Sequence, residues 1–243
     1  MRQTPGMEKL CYALWRTDDL STDELRSRML DLAAPAILDR GVAGLRMQIE
    51  DPAGDLLRYG ANPHGDRFCA TVSVWLQSYD DRPPVEEAIT GVGCRTAGWL
   101  VTESRPIECT ARDWPDGERS PGLALCTLLT KQPDISDDDF YARWHGSHTP
   151  LTFDIHPFWV YLRNAIVRPI TSSAPPYMAL VEEGVGDAAD MTDLLRFYRA
   201  NGSPEQMKVN MDRMNEDLNS FCDMINLETL PAGEWILRSG PGD

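Results

Sequence analysis

Residues 10–38 read LCYALWRTDDLSTDELRSRMLDLAAPAIL and residues 125–153 read LCTLLTKQPDISDDDFYARWHGSHTPLTF; offset by 115 positions, one is a second copy of the other. Each begins with a strand-like run, Leu10 to Arg16 and Leu123 to Lys131, containing the matched Cys11 and Cys126. Each then turns through aspartate into a capping-box start, Ser21-x-x-Glu24 and Ser136-x-x-Asp139, a pattern that satisfies orphan N–H groups and marks a helix N-terminus. Pro35 and Pro150 coincide near the helix ends.

Working outward, both copies continue alike. A second strand is predicted around Gly44 to Ile49 and Tyr161 to Val167, then a third in FCATVSVWLQS and YMALVEEGV. A helix and a last strand follow: VEEAITGVG then TAGWLVTES in the first copy, SPEQMKVNMDRMNEDLNSFCDM then INLETLPAGEWIL in the second. That is βαββαβ twice, the ferredoxin-like pattern of an antiparallel sheet with helices on one face. The fold class read from this is α+β: two fused units, residues 1–110 and 122–243, joined by a linker at 111–121 where TARDWPDGERSPG replaces periodicity with Pro, Gly and charge. The strands are apolar on both faces, Leu123, Leu125 and Leu129 alternating with Cys126 and Leu128. One face meets helices and the other needs a cover, so the two sheets are expected to close into one barrel with helices outside.

A chain of 243 residues, 42% hydrophobic and 25% charged, can bury a sizeable core. A net charge of −15 with no Lys/Arg cluster argues against nucleic acid and anionic membranes as partners, leaving a small neutral or cationic molecule. No apolar run is long enough to span a bilayer and the N-terminus has no signal-like region, so a cytoplasmic protein is expected. Six scattered cysteines without a CxxC pair read as reduced thiols rather than disulfides or a zinc site.

On a helix starting after Ser136, Phe140, Trp144 and His148 share one stripe, and His145 points to solvent. The matching stripe in the first copy is Leu25, Met29 and Ala33. The second copy therefore places an imidazole where its twin places a methyl group, and His148 is expected to face inward. A core imidazole bonded to a carbonyl explains such a residue too; the asymmetry between copies favours a functional role.

The stretch SDDDFYARWHGSHTPL, with Phe, Trp four on, and His followed within two residues by Pro-Leu, resembles the signature of the EthD family of the dimeric α/β-barrel superfamily. SPEQMKVNMDRMNEDLNSFCDM is similar to the C-terminal helix common in such domains. The resemblance covers residues 122 to 237 well and 8 to 110 more weakly, without the signature histidine, so the chain reads as a fused pair with one degenerate half. It implies a pocket between sheet and helices near His148. Relatives include cofactor-free monooxygenases, cyclases, dehydratases and lyases, so the fold does not choose a reaction.

A histidine titrates near neutrality and, well placed, contributes roughly 10²- to 10⁴-fold to a rate. The catalytic candidates are His148 as general acid or base, Tyr161 or alternatively Tyr177 as an oxyanion donor, and His156. Phe140, Trp144, Phe153, Phe158, Trp159 and Tyr177 are the candidate substrate-binding residues; Tyr12, Trp15 and Trp75 add aromatic surface. His145, His148 and His156 raise a metal, but the stripe separates the first two and HExxH is absent, so no metal is expected. A haem held through histidine is disfavoured by the lack of basic residues for its propionates. Methionines 207, 211 and 214, Leu218 and Phe221 form a packing stripe.

The leading expectation is a cofactor-independent lyase, working by dehydration or retro-aldol C–C cleavage on a small aromatic or polyketide-like compound. A cofactor-free monooxygenase and a non-catalytic small-molecule binding protein are the alternatives. Pairing of two chains into a homodimer stays open.

Overall fold

The computed structural model describes residues 6–17, 19–59, 66–109 and 112–241. The duplicated pattern folds as βαββαβ twice. The first copy comprises β1 (Glu8–Arg16), helix α1 over residues 22–38, β2 (Gly44–Glu50), β3 (Arg67–Leu76), α2 (Pro83–Thr90) and β4 (Arg95–Ile107). The second comprises β5 (Leu123–Leu129), α3 over residues 137–155, β6 (Val160–Pro169), β7 (Ala179–Val185), α4 (Pro204–Phe221) and β8 (Glu228–Arg238). Two short helical turns absent from the sequence reading, Ala189–Thr192 and Leu194–Phe197, precede α4. Thr110 and Ala111, at the expected domain boundary, lie outside the described residues.

Both helix starts form as their capping boxes require. Ser21 Oγ accepts from Glu24 N at 3.2 Å and Ser136 Oγ from Asp139 N at 3.0 Å. Neither helix then runs as a regular α-helix. Each contains a π turn at the equivalent place, Arg28–Ala33 and Trp144–His148. A four-residue step overshoots an α-helical turn by about 40°. The extra residue of a π turn offsets that drift, so Phe140, Trp144 and His148 stay on the sheet side and are all buried, as are Leu25, Met29 and Ala33. Thr149 closes the second π turn, its hydroxyl donating to Trp144 O at 2.8 Å.

Each half has the strand order 4-1-3-2, and the halves join edge to edge: β2 pairs with β8 and β4 with β6, all antiparallel. The result is one closed eight-stranded barrel, β1-β3-β2-β8-β5-β7-β6-β4. Alternation sorts the side chains. Leu123, Leu125 and Leu129 pack under α3 and α4, while Ala124, Cys126 and Leu128 point into the barrel with Trp15, Trp99 and Tyr177. Leu10, Tyr12 and Leu14 meet α1 and α2 in the first half. All six cysteines are free thiols. Among the described residues, no helix is long and apolar enough to cross a membrane.

Candidate functional site

The barrel interior is apolar at one end and ionic at its centre. On β7, strand alternation sends Glu182 inward, where it is almost fully buried. Lys9 Nζ donates to it at 2.9 Å, Gln48 Nε2 at 3.0 Å, Asn164 Nδ2 at 2.9 Å, Ser73 Oγ at 3.3 Å and Arg46 at 3.4 Å. Burial alone would raise its pKa, but Lys9 and Arg46 outweigh that and hold the carboxyl well below the usual carboxylate range. Lys9 is likewise pulled down by burial and raised on balance by Glu182, its thiol neighbour Cys11 and Glu103. A buried charge surrounded this completely is a fixed dipole array rather than a base.

This network forms the floor of a cavity of about 610 Å³ at the barrel mouth, within the range of small-molecule pockets. Arg46, Gln48, Glu182 and Glu234 lie at its polar side, and Trp114 and Trp159 at its wall. The two indoles stack with centroids 5.7 Å apart and planes at 20°. Trp159 lies against β7 because its neighbours there are glycines: a Cβ on Gly186 would stand 2.9 Å from the indole, and one on Gly184 3.4 Å from its nitrogen. The linker supplies Trp114 and reaches across the mouth, with Ser120 Oγ donating to Glu234 at 2.8 Å and Arg119 bridging to Trp235 on β8.

Other residues singled out from the sequence gather in the layer between α3, α4 and the second half-sheet. His148 is 7% exposed and engages both ring nitrogens: Nδ1 lies 2.7 Å from Asp217 Oδ2 on α4 and Nε2 3.4 Å from Thr152 Oγ1. Tyr161 is fully buried, accepts from Trp144 Nε1 at 3.4 Å and meets Phe153 edge-on at 5.4 Å. Phe140 packs between Trp144 and Phe221. His145 is exposed beside Trp144.

The remaining candidates lie apart. His156 contacts Phe158, Phe197 and Tyr198, its Nδ1 is 2.9 Å from Phe197 O, and burial pulls its pKa down to about 3, so it is neutral at cellular pH. Tyr177 sits in the apolar end of the barrel, edge-on to Trp99 and hydrogen-bonded to Glu228, which also accepts from Trp15 Nε1 at 2.9 Å. His145, His148 and His156 thus point to three different places, and no cluster of three metal-ligating side chains occurs among the described residues.

Sequence reasoning missed the ionic floor and Glu183. The signal was present in VEEGV, where consecutive glutamates in an apolar strand must place one carboxylate on each face, and in LRMQI, where Arg46 and Gln48 alternate with core residues. Glu183 faces the helical side with Tyr161 and Leu125, its cross-strand partners. Burial raises its pKa to about 8.

No family model matches the chain, and no curated protein matches it. Among solved structures, an anthrone oxidase-like protein superposes with a TM-score of 0.54 at 10% identity, covering 98% of this chain and 95% of that one. A putative monooxygenase from Lactobacillus acidophilus NCFM gives 0.45 at 8% identity, covering 96% and 97%. A chlorite dismutase from Candidatus Nitrospira defluvii gives 0.48 at 9%, covering 97% and 93%. The first of these likenesses concerns the fold alone, a closed α+β barrel whose two halves here come from one polypeptide.

Proposed function

We propose that the chain is an enzyme that oxygenates a small planar aromatic compound without a bound cofactor, in the cavity at the barrel mouth. The observation that carries this reading is the build of that cavity, a stacked Trp114–Trp159 wall facing a fixed ionic floor of Arg46, Gln48 and Glu182. Aromatic walls hold a flat ring, and preorganised donors favour an oxyanion that forms during reaction. In such chemistry an activated carbon loses a proton and the carbanion reduces dioxygen. An activated CH₂ and O₂ become C=O and H₂O. The fold shared with an anthrone oxidase-like protein agrees with a substrate of the anthrone type. Six reduced thiols suit a cytoplasmic setting.

Anthrone supplied to the purified protein at an oxygen electrode is the direct test. Uptake above the buffer rate, falling about tenfold or more in Trp159→Ala, is expected. Absence of uptake with anthrone and with hydroxylated anthrones that bind would overturn the reading.

The lyase reading, with the EthD resemblance behind it, retains one observation: a carboxylate on Nδ1 of His148 orients the imidazole as a general base requires. Turnover without oxygen, lost in His148→Ala, would favour it.

A further inference from the structure

The two halves of the barrel mouth differ where the cavity opens. The matched Cys11 and Cys126 stand opposite Ser73 and Glu182, and two residues earlier Lys9 and Ala124 stand opposite Trp75 and Gly184. Gly184 is therefore the second copy's counterpart of Trp75. In the first half that indole is buried, with the Lys9 ammonium 4.7 Å from its ring centroid. In the second half the missing side chain leaves room at the wall of the cavity, and Trp159 enters it.

Strand alternation turns Gly184 inward together with Glu182, two residues before it. A Cβ on Gly184 would stand 3.4 Å from Trp159 Nε1, and one on Gly186 2.9 Å from the six-membered ring. The indole thus lies along the inner face of β7 with its N–H end toward the ionic floor. Its stacking partner Trp114 donates to Ser120 Oγ at 3.2 Å, but Trp159 Nε1 donates to no described residue. The 5.7 Å between the two ring centroids is a direct aromatic contact, so no third ring lies between them, and the N–H edge is what Trp159 offers a ligand inside the cavity.

The arginines lining the cavity are already engaged. Arg46 bonds to Glu182, Arg105 to Glu103 and Glu108, and Arg112 to Asp116. The lining carboxylates of Glu108, Asp116, Glu182 and Glu234 outnumber these cations, so a ligand bearing a full negative charge would be repelled.

We propose that Trp159 is the specificity-determining residue of this cavity, its Nε1–H donating to the oxygen of an uncharged aromatic ketone. The choice of ketone rests on the oxygenase reading. Filling space alone would be served by phenylalanine; an indole adds a donor that no protein group uses. An aromatic hydrocarbon of the same shape lacks the acceptor, and a carboxylate meets the excess of acidic groups.

Anaerobic equilibrium dialysis of anthrone, 9,10-dihydroanthracene and anthracene-9-carboxylate against wild type and Trp159→Phe tests this. Wild type is expected to bind anthrone more tightly than the other two. Trp159→Phe should lose about 3- to 10-fold for anthrone and stay within about twofold for dihydroanthracene, the loss of one hydrogen bond with the ring contacts kept. In wild type itself, the carbonyl stretch of bound anthrone should fall below its value in hydrocarbon solvent. Equal weakening for ketone and hydrocarbon, an unshifted carbonyl band, tighter binding of the carboxylate, or no anthrone binding by wild type overturns the proposal. Oxygen uptake is read separately: a ketone preference that depends on Trp159 without oxygen consumption refutes the oxygenase reading and keeps the recognition role, whereas uptake without that preference refutes the recognition role alone.

Discussion

Glu183 and His148 are two buried titratable groups with opposite expectations. The folded pKa of Glu183 lies above its unfolded value, so the unfolded chain releases its proton first. Its contribution to stability is whole below about pH 4.5 and is lost progressively up to about pH 8. Glu183→Gln, which cannot ionise, should therefore be more stable than wild type at pH 9, by at least about 1 kcal/mol, and not at pH 4. Urea melts at the two pH values measure this; parallel shifts would contradict it. His148 differs because it has partners. The alanine at the twin position, Ala33, predicts that His148→Ala folds, but among the described residues the Asp217 carboxylate would keep only Ser147 Oγ, which donates to it at 2.9 Å. A loss of about 1–3 kcal/mol is expected in thermal melts, shrinking when Asp217→Ala is already present.

At the level of elements, the π turns shape the helical layer, and the close approach of the linker to β7 shapes the cavity. Both copies carry the turn, so it belongs to the duplicated architecture, and only the second fills it with Trp144 and His148. Gly122, where the linker enters β5, has φ +71° and a Cβ there would stand 1.9 Å from Val185 O. Gly122→Ala should cost more than about 2 kcal/mol, because strain and collision add. Gly186→Ala tests a different consequence. Its methyl would press on the Trp159 indole, so ligand affinity should fall with little change in melting temperature, as titration by tryptophan fluorescence would record.

Across the whole molecule, the strand pairs β2–β8 and β4–β6 make each half the other's edge. Residues 1–110 alone would expose two unpaired strands and the apolar row of Cys11, Ala13 and Trp15. The intact chain should unfold in one cooperative transition, whereas the separate halves should aggregate or pair with one another when mixed. Calorimetry of the full chain with two resolved transitions would refute that coupling. The cavity follows from the same closure, since its floor takes Arg46 and Gln48 from one half and Glu182 from the other.

The duplication, the capped helix starts, the βαββαβ order and the inward face of α3 were legible in the sequence, because capping chemistry and the two periodicities are local. The doubly apolar strands also required a barrel, since a sheet buried on both faces has nowhere else to put its second surface. What remained open was which end of that barrel stays hollow and which polar groups meet inside it. Lys9, Arg46, Gln48, Asn164 and Glu182 come from four strands, and only strand register brings their charges together. Trp159 was singled out as an aromatic residue, but its partner Trp114 is 45 positions away in the linker, and the glycines that seat it gain meaning only when β6 lies beside β7. Local sequence specifies the elements; long-range pairing selects the neighbours that set charge and solvation at the site.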